Sequence, residues 1–180
     1  MILGDSEIRK LIKEGYLPRC NEKLINPASL NVRIGFTFLV PHQKPNGIAL
    51  GDKVEYDTVT LKQGETFTLA PSQFALATTV EKVNLPPAFA AFVQGRSSIG
   101  RAGLSVQNAG FIDPGFHGHI TLELKNETHS PIIIRPGYPV AQLVIVRADG
   151  VETPYDGKYN EQVEATGSRM HLDDIAELLR

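Results

Sequence analysis

Thr58-Val59-Thr60-Leu61, Thr66-Phe67-Thr68-Leu69 and Phe74-Ala75-Leu76-Ala77-Thr78-Thr79-Val80 follow one another with Gly64 and Pro71 as punctuation. Short runs of β-branched and aromatic residues bounded by glycine or proline read as strands. Upstream, Asn31 to Val40 reads the same way and Pro41 to Gly51 as a loop. Downstream, Ala90-Ala91-Phe92-Val93, Ile120-Thr121-Leu122-Glu123-Leu124, Ile132-Ile133-Ile134 and Ala141 to Val146 continue the series. No helical period separates them. The expected fold is therefore mainly β, an antiparallel barrel or distorted jelly roll, because a doubly wound fold needs helices between its strands.

The ends differ from this middle. Asp5 is expected to cap a short helix over Ser6–Glu14 with Gly15 as its stop, and Ile8, Leu11 and Ile12 share one face. The polar stretch from Tyr155 to Arg169 is either a disordered end or an arm that orders over a ligand or a neighbour. Leu172 to Leu179 can form a short amphipathic helix. The organisation expected is one domain over residues 1–180, with 155–180 as a C-terminal arm.

At 180 residues, 42% hydrophobic and 21% charged, the chain has an ordinary globular composition and length enough for a core. Its net charge of -2 argues against general nucleic-acid binding, so any phosphate site is a local concentration of arginine and lysine. Cys20 is the only cysteine, which excludes an internal disulfide and a cysteine-rich zinc site. The opening residues lack a signal-peptide pattern and no apolar run reaches membrane-spanning length, so a cytoplasmic protein is expected.

The chemistry concentrates in Gly95-Arg96-Ser97-Ser98-Ile99-Gly100-Arg101-Ala102-Gly103-Leu104. Guanidiniums and hydroxyls suit phosphate oxygens, and glycines let backbone N–H groups approach an anion. A glycine-rich turn with solvated arginines is the plainer reading. It is not a P-loop, since Arg101-Ala102 stands where Lys-Ser/Thr belongs. Downstream, Asp113 in Ile112-Asp113-Pro114-Gly115 is either a turn former or a site acid. Glu123 shares a strand face with Thr121, either on a solvated surface or half-buried beside a substrate with a raised pKa suited to proton transfer. His117 and His119 lack a third metal ligand and are expected to be exposed at the start of a strand. Nothing near Ser97 or Ser98 marks an orienting base for a serine hydrolase.

Together these segments resemble the dCTP deaminase branch of the dUTPase-like superfamily. The resemblance rests on Ile2–Ile8, Asn26–Arg33, Gly95–Leu104, Ala109–Glu123, Pro136-Gly137, Ala141–Leu143 and Lys158-Tyr159. It implies a distorted jelly-roll subunit and a homotrimer with active sites between subunits. Arg96, Ser97, Ser98 and Arg101, with Ile99 and Gly100 among them, would bind the triphosphate and help place a reactive water. Thr121 and Leu122 would line the base and sugar pocket, Ala109 and Phe111 would join the nucleotide contacts, and Asp113 would meet the deoxyribose or the hydrolytic water. Gln142, Tyr155, Lys158 and Gln162 would close on sugar and phosphates, and Glu123 would transfer protons.

The same resemblance implies dCTP and dUTP as substrates, dTTP as an inhibitor, Mg²⁺ arriving with the triphosphate and no zinc. The net charge and the lack of a membrane-length apolar run lead to no nucleic acid and no membrane as expected partners. Gly110-Phe111 looks like the bifunctional enzymes that carry dCTP to dUMP, a thymidylate precursor, with monofunctional deamination to dUTP or plain dUTP hydrolysis as alternatives. Three departures stand out. Asn31 replaces a usual Asp, Ser105–Asn108 is one residue short and so predicts a reshaped loop beside the base, and Val163–Gly167 lacks the usual glycine placement for closing the tail.

Overall fold

The computed structural model describes residues 1–107 and 110–174. The chain opens with helix α1 (Asp5–Lys13) and a 3-10 turn at Glu22–Leu24. Strands β1 (Ile25–Asn26), β2 (Ser29–Pro41), β3 (Tyr56–Thr60), β4 (Phe67–Leu69), β5 (Phe74–Asn84) and β6 (Phe89–Gly95) come next. A one-turn helix α2 (Ser97–Gly100) precedes β7 (Leu104–Gln107), β8 (Phe111–Ile112), β9 (His117–Asn126), β10 (Ile132–Ile134) and β11 (Pro139–Arg147). The main sheet runs β7-β9-β5-β2-β11-β6-β8, with β1 and β3 also on β2, while β4 and β10 form a separate pair. Among the described residues every strand pair is antiparallel, as the helix-free strand series predicts.

Alternation along β9 places the core. Gly118, Ile120, Leu122, Leu124 and Asn126 are buried, while Thr121 and Glu123 on the other face are half-buried. Ile34, Leu69, Leu143 and Ile145 are fully buried in the same core, where Phe38 and Phe67 stack at 4.2 Å between centroids. Burial of such side chains is worth roughly 1.5–3 kcal/mol each.

Two of the longest strands bend together. β5 changes register against β9 between Thr78 and Lys82, and β2 changes register against β5 between Ile34 and Phe38. In the β5 bulge, the Thr79 hydroxyl accepts the Ile120 N–H at 3.0 Å and donates to the Glu81 carbonyl at 2.8 Å. In the β2 bend, a Cβ on Gly35 would stand 2.5 Å from Thr78 Cγ2, so only glycine fits. The fully buried Glu81 carboxylate accepts from the Arg33 backbone N–H at 2.7 Å and from Arg33 Nε at 2.6 Å. Burial, with Glu81 nearby, pushes the Cys20 thiol up to about 12, so this cysteine is protonated and unreactive at neutral pH.

Several local expectations change. Asp5 lies inside α1, and Gly4 is its N-cap, with no side-chain capping bond. The reason is backbone pairing: the Asp5 N–H is taken by the Pro27 carbonyl, and the Gly4 carbonyl accepts from Ile8. Gly15 ends the helix as expected, at φ +83, with its N–H on Ile12 O and that of Tyr16 on Leu11 O. Of the final helix predicted over Leu172–Leu179, Leu172 closes a 3-10 turn, Met170–Leu172, and residues 175–180 lie outside the described residues. Strands β1, β7 and β8, the 3-10 turn at Glu22–Leu24 and helix α2 are additions to the expected elements. Among the described residues, no helix is long and apolar enough to cross a membrane.

Candidate active site

Glu123 faces a cavity of about 510 Å³. β9 contributes Thr121, Leu122 and Glu123, the β8 turn contributes Phe111 and Asp113, and the C-terminal arm contributes Tyr155 and Gln162. Aromatic and aliphatic groups, among them Phe74, Leu76 and Phe116, make up much of the wall. Burial raises the Glu123 pKa above the ordinary carboxylate range. Its half-buried position favours a carboxyl that holds its proton longer than a solvated acid and can still reach water.

The turn carrying Asp113 is closed by the Phe116 N–H on the Asp113 carbonyl at 3.1 Å. Gly115 there has φ +91, and a Cβ on it would meet Pro154 Cβ at 2.6 Å. Asp113 is exposed on the cavity side of this turn. Phe111 is 52% exposed and meets Phe92 edge to face at 5.3 Å.

The arm lies along the cavity, bonded to the chain's own β9. Tyr155 N–H donates to Pro114 O at 2.7 Å, and Glu161 N–H to His117 O at 2.6 Å. The backbone of Gln162 lies against Gly118, where a Cβ would approach Gln162 N to 2.7 Å. Thr121 is then used twice: its hydroxyl donates to Gln162 Oε1 at 2.8 Å and accepts from Thr166 N–H at 3.0 Å. The glycine placement that casts doubt on tail closure is met differently, since Gly167 packs on the Tyr56 ring.

The arginine-rich segment lies elsewhere. Gln94, Arg96, Ser97, Gly100 and Ser105 line a second depression of about 390 Å³, which shares no described lining residue with the Glu123 cavity. Arg96 is the N-cap of α2 and its guanidinium donates to Pro139 O at 2.9 Å. Arg101 Nε donates to Ser97 Oγ at 3.2 Å. Ser98 is exposed, and Ile99 is half-buried against the core. Gly103 (φ +84) turns the chain into β7, and its carbonyl accepts the Glu127 N–H at the end of β9.

The remaining expected residues divide. Gln142, on β11, is half-buried opposite Gln94 and Asn31. Lys158 is outside the cavity wall, its ammonium paired with the Asp173 carboxylate. Ala109 lies outside the described residues. Of Ser105–Asn108, expected as a reshaped loop beside the base, Ser105–Gln107 belong to strand β7, where Gln107 is in register with Glu123, and Asn108 lies outside the described residues. Asn31 donates to Asn26 Oδ1 at 3.4 Å in a neutral amide pair. His117 is exposed as expected, whereas His119 is half-buried, its Nδ1 2.9 Å from the Thr79 carbonyl exposed by the bulge. Sequence reasoning missed Tyr56, Phe74, Phe116, Tyr159 and Ser168 in the cavity wall, and Gln94 and Ser105 in the depression. Phe116, within Ala109–Glu123, and Tyr159, beside Lys158, lay in stretches that carried the resemblance, but neither was assigned a role.

A family model described as dCTP deaminase-like matches residues 2–148. The chain is 43% identical to a protein named "dCTP deaminase, dUMP-forming" from Sulfurihydrogenibium sp., over 96% of this chain and 99% of that one. It is 41% identical to a protein of the same name from Aquifex aeolicus, over 97% of each. In structure it resembles the 2'-deoxycytidine 5'-triphosphate deaminase of Agrobacterium tumefaciens, with a TM-score of 0.65, 23% identity and coverage of 80% of this chain and 47% of that one. That last likeness concerns the fold alone.

Proposed function

The chain belongs to the dCTP deaminase-like family, and from this premise we propose that it converts dCTP to dUMP, pyrophosphate and ammonia. The observation that carries the proposal is Glu123, half-buried in a largely apolar cavity beside Thr121 and Asp113, its pKa raised by burial.

In the first reaction water adds at C4 of cytosine and the C4–N bond breaks. One water proton ends on N3 and the other on the departing amine, giving dUTP and ammonia. Glu123 takes the proton from water and returns protons to N3 and the amine, a task that suits a carboxyl whose pKa is raised by burial. Such acid–base work contributes about 10²–10⁴-fold, and the dry wall and fixed orientation add to it. In the second reaction water attacks the α-phosphorus and the bond to the β-phosphate oxygen breaks, leaving dUMP and pyrophosphate. Asp113, on the same cavity, is the carboxylate available to orient that water. Phe111 gives this turn an apolar flank, in keeping with the dUMP-forming pattern of Gly110-Phe111.

Arg96, Ser97, Ser98 and Arg101, with Gly100 and the backbone of Ile99, bind the triphosphate in this reading. Because their depression and the Glu123 cavity share no described lining residue, a homotrimer is proposed in which a neighbouring copy presents Arg96–Arg101 to the cavity. Gln142 supports the phosphate side from β11. Tyr155 and Gln162 close the base and sugar side, and Lys158 exchanges Asp173 for phosphate. The donor set suits Mg²⁺: the hydroxyls of Ser97 and Ser105 and the amide oxygen of Gln94 are hard oxygen donors beside the phosphate site. Those residues and the triphosphate would hold the ion, which supplies charge neutralisation for the leaving pyrophosphate. dTTP is proposed as an inhibitor that fills the same cavity, and a cytoplasmic setting is proposed for a chain whose one cysteine can form no internal disulfide.

The test is product analysis with Mg²⁺, supplying dCTP and dUTP separately. The reading predicts dUMP, pyrophosphate and ammonia from dCTP with little free dUTP. Accumulation of dUTP makes it a monofunctional deaminase, and hydrolysis of dUTP with dCTP untouched makes it a dUTPase.

A further inference from the structure

We propose that Tyr56 is a positioning residue that latches the arm across the cavity and so retains dUTP between the two reactions. The idea rests on the dUMP-forming reading above. Tyr56 opens β3 and lines the Glu123 cavity. Its hydroxyl accepts the Ser168 N–H at 3.1 Å. The arm backbone presses on its ring, because a Cβ on Gly167 would stand 2.5 Å from Tyr56 Cε2.

The anchor lies on the wall opposite the other pins. His117, His119 and Thr121, all on β9, hold Glu161, Gln162 and Thr166. β3 is three strand spacings away, as the register Glu123–Leu76–Leu39–Thr58 shows. Two residues of extended chain reach about 7 Å. From the Thr166 pin on β9 the arm therefore passes directly to the Tyr56 hydroxyl at Ser168, which fastens the end of the pinned stretch. Releasing that end frees Gly167 and Ser168 while the β9 pins stay in place.

Retention matters only in an enzyme that performs two reactions in sequence. After deamination dUTP either meets the hydrolytic water or leaves, and the arm must open for it to leave. A looser latch speeds escape without touching either reacting centre. The loss of one neutral hydrogen bond shifts an opening equilibrium by about two- to tenfold.

The experiment uses the full chain and two variants that strike the contact from opposite sides, Tyr56→Phe and Gly167→Ala. Tyr56→Phe keeps the apolar wall and removes the acceptor. With dCTP and Mg²⁺, the ratio of free dUTP to dUMP should rise about fivefold in each variant, and trypsin should cut after Arg169 faster in the same order. A dUMP-forming wild type whose product ratio is unchanged in both variants overturns the proposal, whatever the protease reports. A wild type that releases dUTP breaks the dUMP-forming reading instead; the latch is then judged by cleavage at Arg169, and equal rates overturn it.

Discussion

The Glu123 cavity and the Arg96–Arg101 depression are built on opposite plans. The cavity has walls from β3, β5 and β9, a bonded arm across it and one acid made less acidic by burial. The depression has exposed Ser97 and Gly100 and a half-buried Arg96. The first can enclose a base but holds no guanidinium among its described lining residues. The second can hold phosphates but has nothing to enclose a ring. A nucleoside triphosphate needs both. The two regions are tied within one chain by the Glu127–Gly103 hydrogen bond, yet open as separate concavities. In the proposed reading a single copy therefore carries two halves of different sites.

The sharpest break in this contrast is Glu123→Gln, which keeps shape and removes proton transfer. Ammonia release from dCTP should fall about 10³-fold, while dCTP binding by calorimetry stays measurable. An active variant would remove Glu123 from the mechanism. The pH profile sharpens the same point. A base must be unprotonated to accept from water, so kcat/KM rises with pH through the raised Glu123 value. The acid limb should stand above the ordinary glutamate value of about 4.3, and a limb at that value would mean a solvated carboxylate.

The depression answers to Arg101→Ala. The change removes a guanidinium and frees Ser97 Oγ from its partner. kcat/KM for dCTP should fall about 10²-fold, with a smaller effect on hydrolysis-independent binding of deoxycytidine. Equal loss for nucleoside and triphosphate would show that Arg101 does not read phosphate. A smaller effect is expected at Glu161, a non-glycine residue at φ +60 in the arm. Glu161→Gly relieves a left-handed backbone costing roughly 1 kcal/mol, so trypsin cleavage of the arm should slow a few-fold. Faster cleavage would show that the Glu161 side chain itself holds the arm.

Most of the sheet was legible because its strands announce themselves locally. Thr121 and Glu123 alternate with buried leucines, and Gly64 and Pro71 cut one strand from the next. Asp5 was misread as a cap because the Pro27 carbonyl that claims its N–H is distant in sequence. The α2 turn and the two-residue β8 are shorter than any period. Tyr56 was invisible for a different reason: its role arises from three strand pairings and an arm more than 100 residues downstream, and nothing in its neighbours hints at either. Likewise the glycine-arginine run could be recognised as phosphate-like chemistry, whereas its separation from Glu123 depends on how β7 and β9 fold together. Local chemistry was readable; which half-sites face each other was not.

The direct test of that pairing mixes two inactive proteins, Glu123→Gln and Arg101→Ala, after unfolding and refolding them together. If Glu123 of one copy works with Arg101 of its neighbour, random mixing restores about a quarter of wild-type ammonia release. A mixture as inactive as its two parents would place both residues in the same copy's site and contradict the account.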